Sequence, residues 1–271
     1  GSPFDDAGLF LLFAAGRRPT RGALKDFAKA QRAVSLTHDP LDVGPLHLVT
    51  SEDAERSTDV SRLDETQLAE HVWVELLREG LTFDLLGLAP GPKVDFPEIE
   101  YRLDLKARPT ASGSDVLYLK PGKHLSGGKR TLPVVKGLIG LARDITNHFD
   151  DLEAVAWPAA QSAIGRRFFE AVASAWMEGG PFPALGLTAF RETMDGALQS
   201  VGLSFWTGQE LRIEPPLSAN KTDATRLGVR LINHLVLAGR LAADDRLVAP
   251  DGRALSLRPS ANGHFVRVWQ D

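Results

Sequence analysis

Leu9-Phe10-Leu11-Leu12-Phe13-Ala14-Ala15 is the stretch that most restricts what this chain can fold into. It is apolar without a break, with Asp5 and Asp6 before it and Gly16, Arg17 and Arg18 after it. A membrane span needs roughly 20 apolar residues, so this run is too short to cross a bilayer. A secretory leader carries basic residues ahead of its apolar core, where acidic ones stand here. What fits is a strand covered on both faces, and such a strand needs a large core around it. The 271 residues suffice for one large domain or two joined halves. Gly1-Ser2 in place of an initiating Met reads as a tag remnant.

Around this strand the pattern alternates between helical and extended periods. Thr20 offers an N-cap hydroxyl to a helix carrying Leu24, Phe27 and Ala28 at helical spacing. Ala33–Leu36 and Leu46–Val49 read as short strands around the turn Asp39-Pro40, and residues 51–62 as a polar loop. A helix is expected from about Asp64 to Arg78, stopped by Gly80, before a new apolar run from Leu81 to Leu88. Glu98 to Lys106 alternates strictly, with Ile99, Tyr101, Leu103 and Leu105 on one face and charges on the other. That predicts a half-solvated strand of an antiparallel sheet, and a wet face explains its carboxylates without acid–base chemistry.

Residues 107–114 are small and unpatterned, the best linker candidate, which divides the chain into halves of 1–110 and 111–271. The second half predicts a strand at Val116–Lys120, a helix from Pro133 to Phe149, a strand at Ala154–Trp157 and a helix over 165–178. Strand-like segments follow near 185–192, 197–206 and 209–214. Asn220 caps a helix that stops at Gly239, and strands at Ala254–Leu257 and Phe265–Trp269 close the chain. Gly80-Leu81-Thr82-Phe83 is echoed by Gly202-Leu203-Ser204-Phe205, which suits two similar halves. The fold class expected is α+β, mostly antiparallel sheet packed with four to five helices.

Hydrophobic residues are 43% of the chain and charged ones 24%, which excludes disordered, collagen-like and coiled-coil architectures. The net charge of −4, with Lys and Arg interleaved among Asp and Glu, argues against a nucleic-acid protein but leaves room for a local basic patch. Without Cys there is no disulfide, thiol nucleophile or thiolate metal site, which fits a reducing, cytoplasmic setting. No cofactor and no membrane association are expected, and the oligomeric state is open.

Two places hold candidate chemistry. The first is Pro121 to Thr131, between a predicted strand and a predicted helix, where a Gly-rich loop can offer N–H groups and a helix dipole to an anion. Its candidate anion-binding residues are Lys123, His124, Gly127, Gly128, Lys129, Arg130 and Thr131. It is not a nucleotide-hydrolase phosphate loop: counted from Gly122, Gly128-Lys129 arrives one residue late, and Arg130 stands where a hydroxyl is required. The second is Asp144, His148 and Asp151, at spacings that share a helix face and suit Zn²⁺ or Mn²⁺. The helix is expected to end near Phe149, which turns Asp151 away, so no metal is assigned. There is no zinc-protease or nucleophile-elbow motif, and the Trp residues at 73, 157, 176, 206 and 269 read as core or interface anchors.

Several features of the second half occur in an order that resembles an uncharacterised bacterial domain-of-unknown-function family. They are a helix ending at Asp150-Asp151, a strand closing on Trp157, Gly202-Leu203 with Phe205, and Glu210-Leu211-Arg212-Ile213. Asn220 with its helix to Gly239, the Asp251-Gly252 turn and the closing strand complete the set. The resemblance implies an α+β fold in a bacterium and carries over no catalytic residue. Two function classes remain. One is a non-catalytic interaction protein, regulatory or immunity-like, that recognises another protein. The alternative is an enzyme or small-ligand binder that uses residues 121–131 as an anion clamp.

Overall fold

The computed structural model describes residues 7–40 and 71–271. The strand expected at Leu46–Val49, the polar loop at 51–62 and the start of the helix expected from Asp64 lie outside these residues. Along the chain, β1 (Leu9–Ala14) is followed by α1 (Arg21–Ala30), β2 (Val34–His38), β3 (Trp73–Arg78), β4 (Leu81–Leu86) and the short β5 (Tyr101–Leu103). Then come β6 (Ser114–Pro121), α2 (Leu132–His148), β7 (Leu152–Trp157), β8 (Ser162–Gly165) and α3 (Arg166–Met177). The last stretch holds β9 (Ala189–Glu192), β10 (Leu198–Val201), β11 (Glu210–Ile213), α4 (Lys221–Ala238), β12 (Asp245–Val248), β13 (Ala254–Pro259) and β14 (Phe265–Gln270). This is an α+β protein with largely antiparallel pairing. It divides into two units, one of Gly1–Phe96 with Pro109–Val155, the other of Pro97–Arg108 with Ala156–Asp271.

In the first unit the strand order is β2-β3-β4-β6-β1-β7. The run that opened the chain becomes β1, paired along its length with β6 from Leu9↔Leu119 to Ala14↔Ser114. Leu9 to Phe13 are buried without exception, as strand positions covered on both faces require. The Thr20 hydroxyl accepts from the Ala23 N–H at 3.2 Å, and α1 buries Leu24 and Phe27. α2 buries Leu138, Leu141 and Ile145 along one face. Gly140 is needed in α2 because a Cβ there would stand 2.7 Å from Arg78 Nη1.

The helix expected to run to Arg78 is corrected in its described part: residues 73–78 are strand β3. Val74, Leu76 and Arg78 are buried alternately with half-exposed neighbours, a period of two that side-chain packing enforces. Glu79 and Gly80, both at positive φ, form the two-residue turn of a hairpin into β4, so Gly80 reverses the chain and ends no helix.

The second unit holds a six-stranded sheet, β12-β13-β14-β11-β10-β9, antiparallel except for β11 against β14. α4 is capped by Asn220, whose side chain accepts from the Asp223 N–H at 3.0 Å, and it covers one face of the sheet. Gly228 on α4 lets Phe190 and Ile213 approach where a Cβ would meet the Phe190 ring at 2.7 Å. Trp157, Trp176, Phe182, Phe205 and Trp206 join in an aromatic cluster with centroids 4.9–6.4 Å apart.

Three expectations are revised here. The alternating run at 98–106 gives only the three residues of β5, and these pair in parallel with β8 rather than in an antiparallel sheet. Asp104, at φ 54°, takes the chain out of extended geometry, and its carboxylate accepts from the Phe168 N–H at 3.3 Å. The segment at 197–206 stops at Val201, because Gly202 (φ 96°) leads into a single helical turn, Ser204–Thr207. That turn also dissolves the echo with Gly80-Leu81-Thr82-Phe83, which enters a strand, and the two units do not share a strand order. β12 was not expected; its sequence, Asp-Arg-Leu-Val, has little apolar pattern. Among the described residues no helix is long and apolar enough to cross a membrane.

Candidate functional site

The loop after β6 closes largely on itself. Lys123–Gly128 forms a short 3-10 turn, with the Leu125 N–H donating to the Gly122 carbonyl at 2.9 Å. Gly122 donates to the Thr82 carbonyl at 2.8 Å, and a Cβ there would stand 2.6 Å from Thr82 Oγ1. The His124 ring lies 3.2 Å from the same hydroxyl. Thr131 turns its hydroxyl back to the Gly128 carbonyl at 2.6 Å and leaves the first turn of α2 without a side-chain cap. Lys123, His124, Gly127, Arg130 and Thr131 are exposed, while Gly128 and Lys129 are half-buried. The seven residues thus share one surface loop, but two of its N–H groups, those of Leu125 and Thr131, are used within it.

Asp144, His148 and Asp151 are not brought together. Asp144 is ion-paired with Arg78 at 3.0 Å and Arg143 at 3.1 Å. His148 is the last residue of α2 and packs edge-on against Phe27 and Phe149. Among the described residues no group of three or more His, Asp or Glu side chains could hold a metal ion.

The strongest grouping is one that no single segment announces. Paired residues of neighbouring strands project from the same face of a sheet. The registers set Arg258 of β13 against Arg267 of β14, Arg267 against Arg212 of β11, Arg212 against Gln199 of β10, and Gln199 against Arg191 of β9. Four arginines therefore stand in one row across five strands, on the face opposite α4. With strands about 4.8 Å apart, the row is roughly 19 Å long. The next register row, Ser256 against Trp269, adds an indole to this face. The Arg267 guanidinium carbon lies 4.6 Å from the Trp269 ring centroid and that of Arg258 lies 5.6 Å from it.

A buried carboxylate organises the middle of the row. Glu214, 4% exposed, follows β11 on the same side and accepts at one oxygen from Arg212 Nε (2.6 Å) and Arg267 Nε (2.8 Å). Arg212 also donates to Asp195 in the β9–β10 turn. Burial works against the charged form of Arg212, but Glu214, with Asp195, outweighs it and raises the guanidinium pKa further. Asp195 is held below the usual carboxylate range, first by the Thr193 hydroxyl and then by Arg212. Arg258 makes a long ion pair, 3.9 Å to an exposed Asp244, and its own side chain is 59% exposed.

Two further features of this unit bear on anions. The N–H groups of Gly202, Leu203 and Ser204 converge as they would around an anion, but the chain's own Glu210 fills the place, at 2.9–3.2 Å. An open cavity of about 490 Å³ lies between α4 and the β12–β13 turn, lined by Asp223, Arg226, Arg230, Asp251 and Arg253. Arg253 is engaged there by Asp251, with Nε 2.5 Å from Oδ2.

Of the five Trp residues, Trp157, Trp176 and Trp206 are packed in the aromatic cluster, Trp73 lies beside His38, and Trp269 stands on the outer sheet face. Sequence reading missed the row. Its local signals are the alternation of Arg267 and Trp269 with Val266 and Val268 and of Arg212 with Leu211 and Ile213, and the register that aligns five strands is not written in any one of them. No family model, curated protein or solved structure matches this chain.

Proposed function

We propose that this chain is a non-catalytic interaction protein that recognises another protein through the outer face of its six-stranded sheet. The observation that carries this reading is the row Arg258, Arg267, Arg212, Gln199 and Arg191. Like charges placed directly opposite one another destabilise a sheet. Glu214 offsets this between Arg212 and Arg267, while Arg258 against Arg267 has the long contact to Asp244 and a place for a partner's charge. Arg, Trp and Phe are enriched in protein interfaces, and Arg and Trp in their hot spots. Here Trp269 and Phe265 stand beside the arginines, on the face opposite α4. A regulatory or immunity-type role in a bacterial cytoplasm suits this reading and the absence of cysteine.

The test is photo-crosslinking in the native host, with a crosslinking residue at Gln199 and, separately, at exposed Glu178 on the end of α3. The expected result is one protein adduct, identified by mass spectrometry, that forms from position 199 and is lost when Arg191→Glu and Arg258→Glu are combined with it. The same adducts from both positions, or an adduct indifferent to the arginines, would overturn the reading. Small-anion binding is a second reading, favoured by the cationic cavity beside α4 and by Lys129 and Arg130 in the 121–131 loop. Thermal stabilisation by phosphate that disappears with Arg226→Ala/Arg230→Ala, or with Lys129→Ala/Arg130→Ala, would support it and say which place is used.

A further inference from the structure

Resting on the interaction face just proposed, we infer that the partner is an acidic polypeptide, and that Arg258 and Arg267, set around Trp269, clamp one of its carboxylates. The first step is the way Arg267 is held. Its Nε donates to Glu214, which is buried and shared with Arg212, so the Nε edge of the guanidinium is fixed while the side chain remains 42% exposed. Contact with the Trp269 ring restrains the same group from a second side. A planar fork fixed in this way has lost most of its rotamer freedom before any partner arrives, and forks of this kind match carboxylates in a bidentate manner.

Arg258 completes the clamp. It is the register partner of Arg267, lies within 5.6 Å of the same indole, and has no carboxylate closer than Asp244 at 3.9 Å. Arg212 differs, because it is held by two carboxylates, Glu214 at Nε and Asp195 at an Nη, and is only 18% exposed. The Arg258–Arg267 end therefore differs from the rest of the row in setting two solvent-reaching guanidiniums against one indole. Glu214 is a positioning residue, acting through the two arginines that it holds.

Charge pattern and ring exposure favour a polypeptide over a nucleic acid. Asp195, Glu214, Asp244 and Asp271 are interleaved with the arginines, as the ion pairs to Arg212, Arg267, Arg258 and Arg246 record. A phosphate backbone holds its charges in the chain itself and meets such carboxylates repulsively, whereas the carboxylates of a polypeptide stand on flexible side chains that can turn onto the arginines and away from these acidic groups. Trp269 also has two guanidiniums over its ring, where a base-stacking platform needs an open face.

Fluorescence anisotropy on the full chain at low salt, with a labelled oligoglutamate peptide and a labelled oligothymidylate of equal charge, tests this. The expected result is saturable oligoglutamate binding that weakens about tenfold in Arg258→Ala/Arg267→Ala, the loss typical of a small hot spot. Arg258→Lys/Arg267→Lys keeps the charge and removes the fork, and it should lose nearly as much. Glu214→Gln should weaken binding severalfold, and Glu214→Asp should restore part of it, both measured well below the variants' own melting temperatures. Full binding by the Lys pair would overturn the clamp. Tighter binding of oligothymidylate through the same arginines would overturn the polypeptide. If oligoglutamate does not bind while the Gln199 adduct still depends on the arginines, this inference fails and the interaction face stands. If both fail, both readings fall.

Discussion

Two arginine–carboxylate clusters in this chain use the same groups to opposite ends. In the first unit Arg78 lies buried against α2, 5% exposed, with Asp144 at 3.0 Å and Gly140 making room for the guanidinium. In the second, Arg212 and Arg267 meet Glu214 on an outer sheet face, with Arg258 and Trp269 beside them. The first is closed: a cation crosses from strand to helix and ends on a carboxylate of that helix. The second is open, because the side chains of Arg267 and Arg258 are 42% and 59% exposed, against 6% for Arg78. The difference shows how an ion pair that supports a fold can be told from one that presents charge. The test is whether the guanidinium is enclosed with its carboxylate or held by it at the surface.

This contrast predicts opposite consequences for single arginine deletions. Arg78→Ala leaves Asp144 with only Arg143, in a place where its side chain is 11% exposed. Breaking a buried pair from one side costs about 3–5 kcal/mol, and urea unfolding should show a loss of that size. Arg258→Ala should stay within about 0.5 kcal/mol, since exposed pairs contribute little, and it should show instead in binding. Equal losses in the two variants would remove the distinction between closed and open clusters.

Asp115 offers a smaller test on a second closed cluster. Burial raises its pKa, but the Lys93 ammonium at 2.9 Å, the Gly16 N–H at 3.0 Å and Arg18 outweigh that and hold it below the usual carboxylate range. A carboxyl whose pKa is lower in the folded chain adds stability that is present above its unfolded value, near pH 4. That stability is lost as pH falls through the folded value. Asp115→Asn should therefore be less stable than the parent at neutral pH, and the two melting temperatures should converge as acid is added below about pH 4. A difference that is constant from neutral pH into acid would mean that the carboxylate's charge plays no part.

Legibility from sequence follows the same division between local and assembled features. Thr20, Asn220 and Gly239 marked helix ends because caps act within a few residues, and Leu9 to Phe13 marked a central strand because burial on both faces leaves no polar position. Trp73 to Arg78 was misread because the expected helix ran through it, and only the Glu79-Gly80 turn separates a helix stop from a hairpin there. The arginine row could not be read at all. Its members lie on four strands, the outermost 67 positions apart in the chain (191 to 258), and a one-residue slip in any register would turn an arginine to the other face.

The smallest expected effect asks whether closure matters for a neutral group too. The Thr20 hydroxyl accepts from the Ala23 N–H and so satisfies one donor at the start of α1. The Thr131 hydroxyl stands at the same position relative to α2 but donates to Gly128, leaving that helix start without a side-chain cap. Loss of a cap costs about 1 kcal/mol, so Thr20→Ala should destabilise by roughly that amount. Thr131→Ala removes a bond in an exposed loop, and about 0.5 kcal/mol is the ceiling expected for such a surface change. Urea unfolding of the two variants side by side decides it. If Thr131→Ala costs as much as Thr20→Ala, the hydroxyl caps α2 in solution, and the loop at 121–131 holds one fewer open N–H for an anion than its geometry offers.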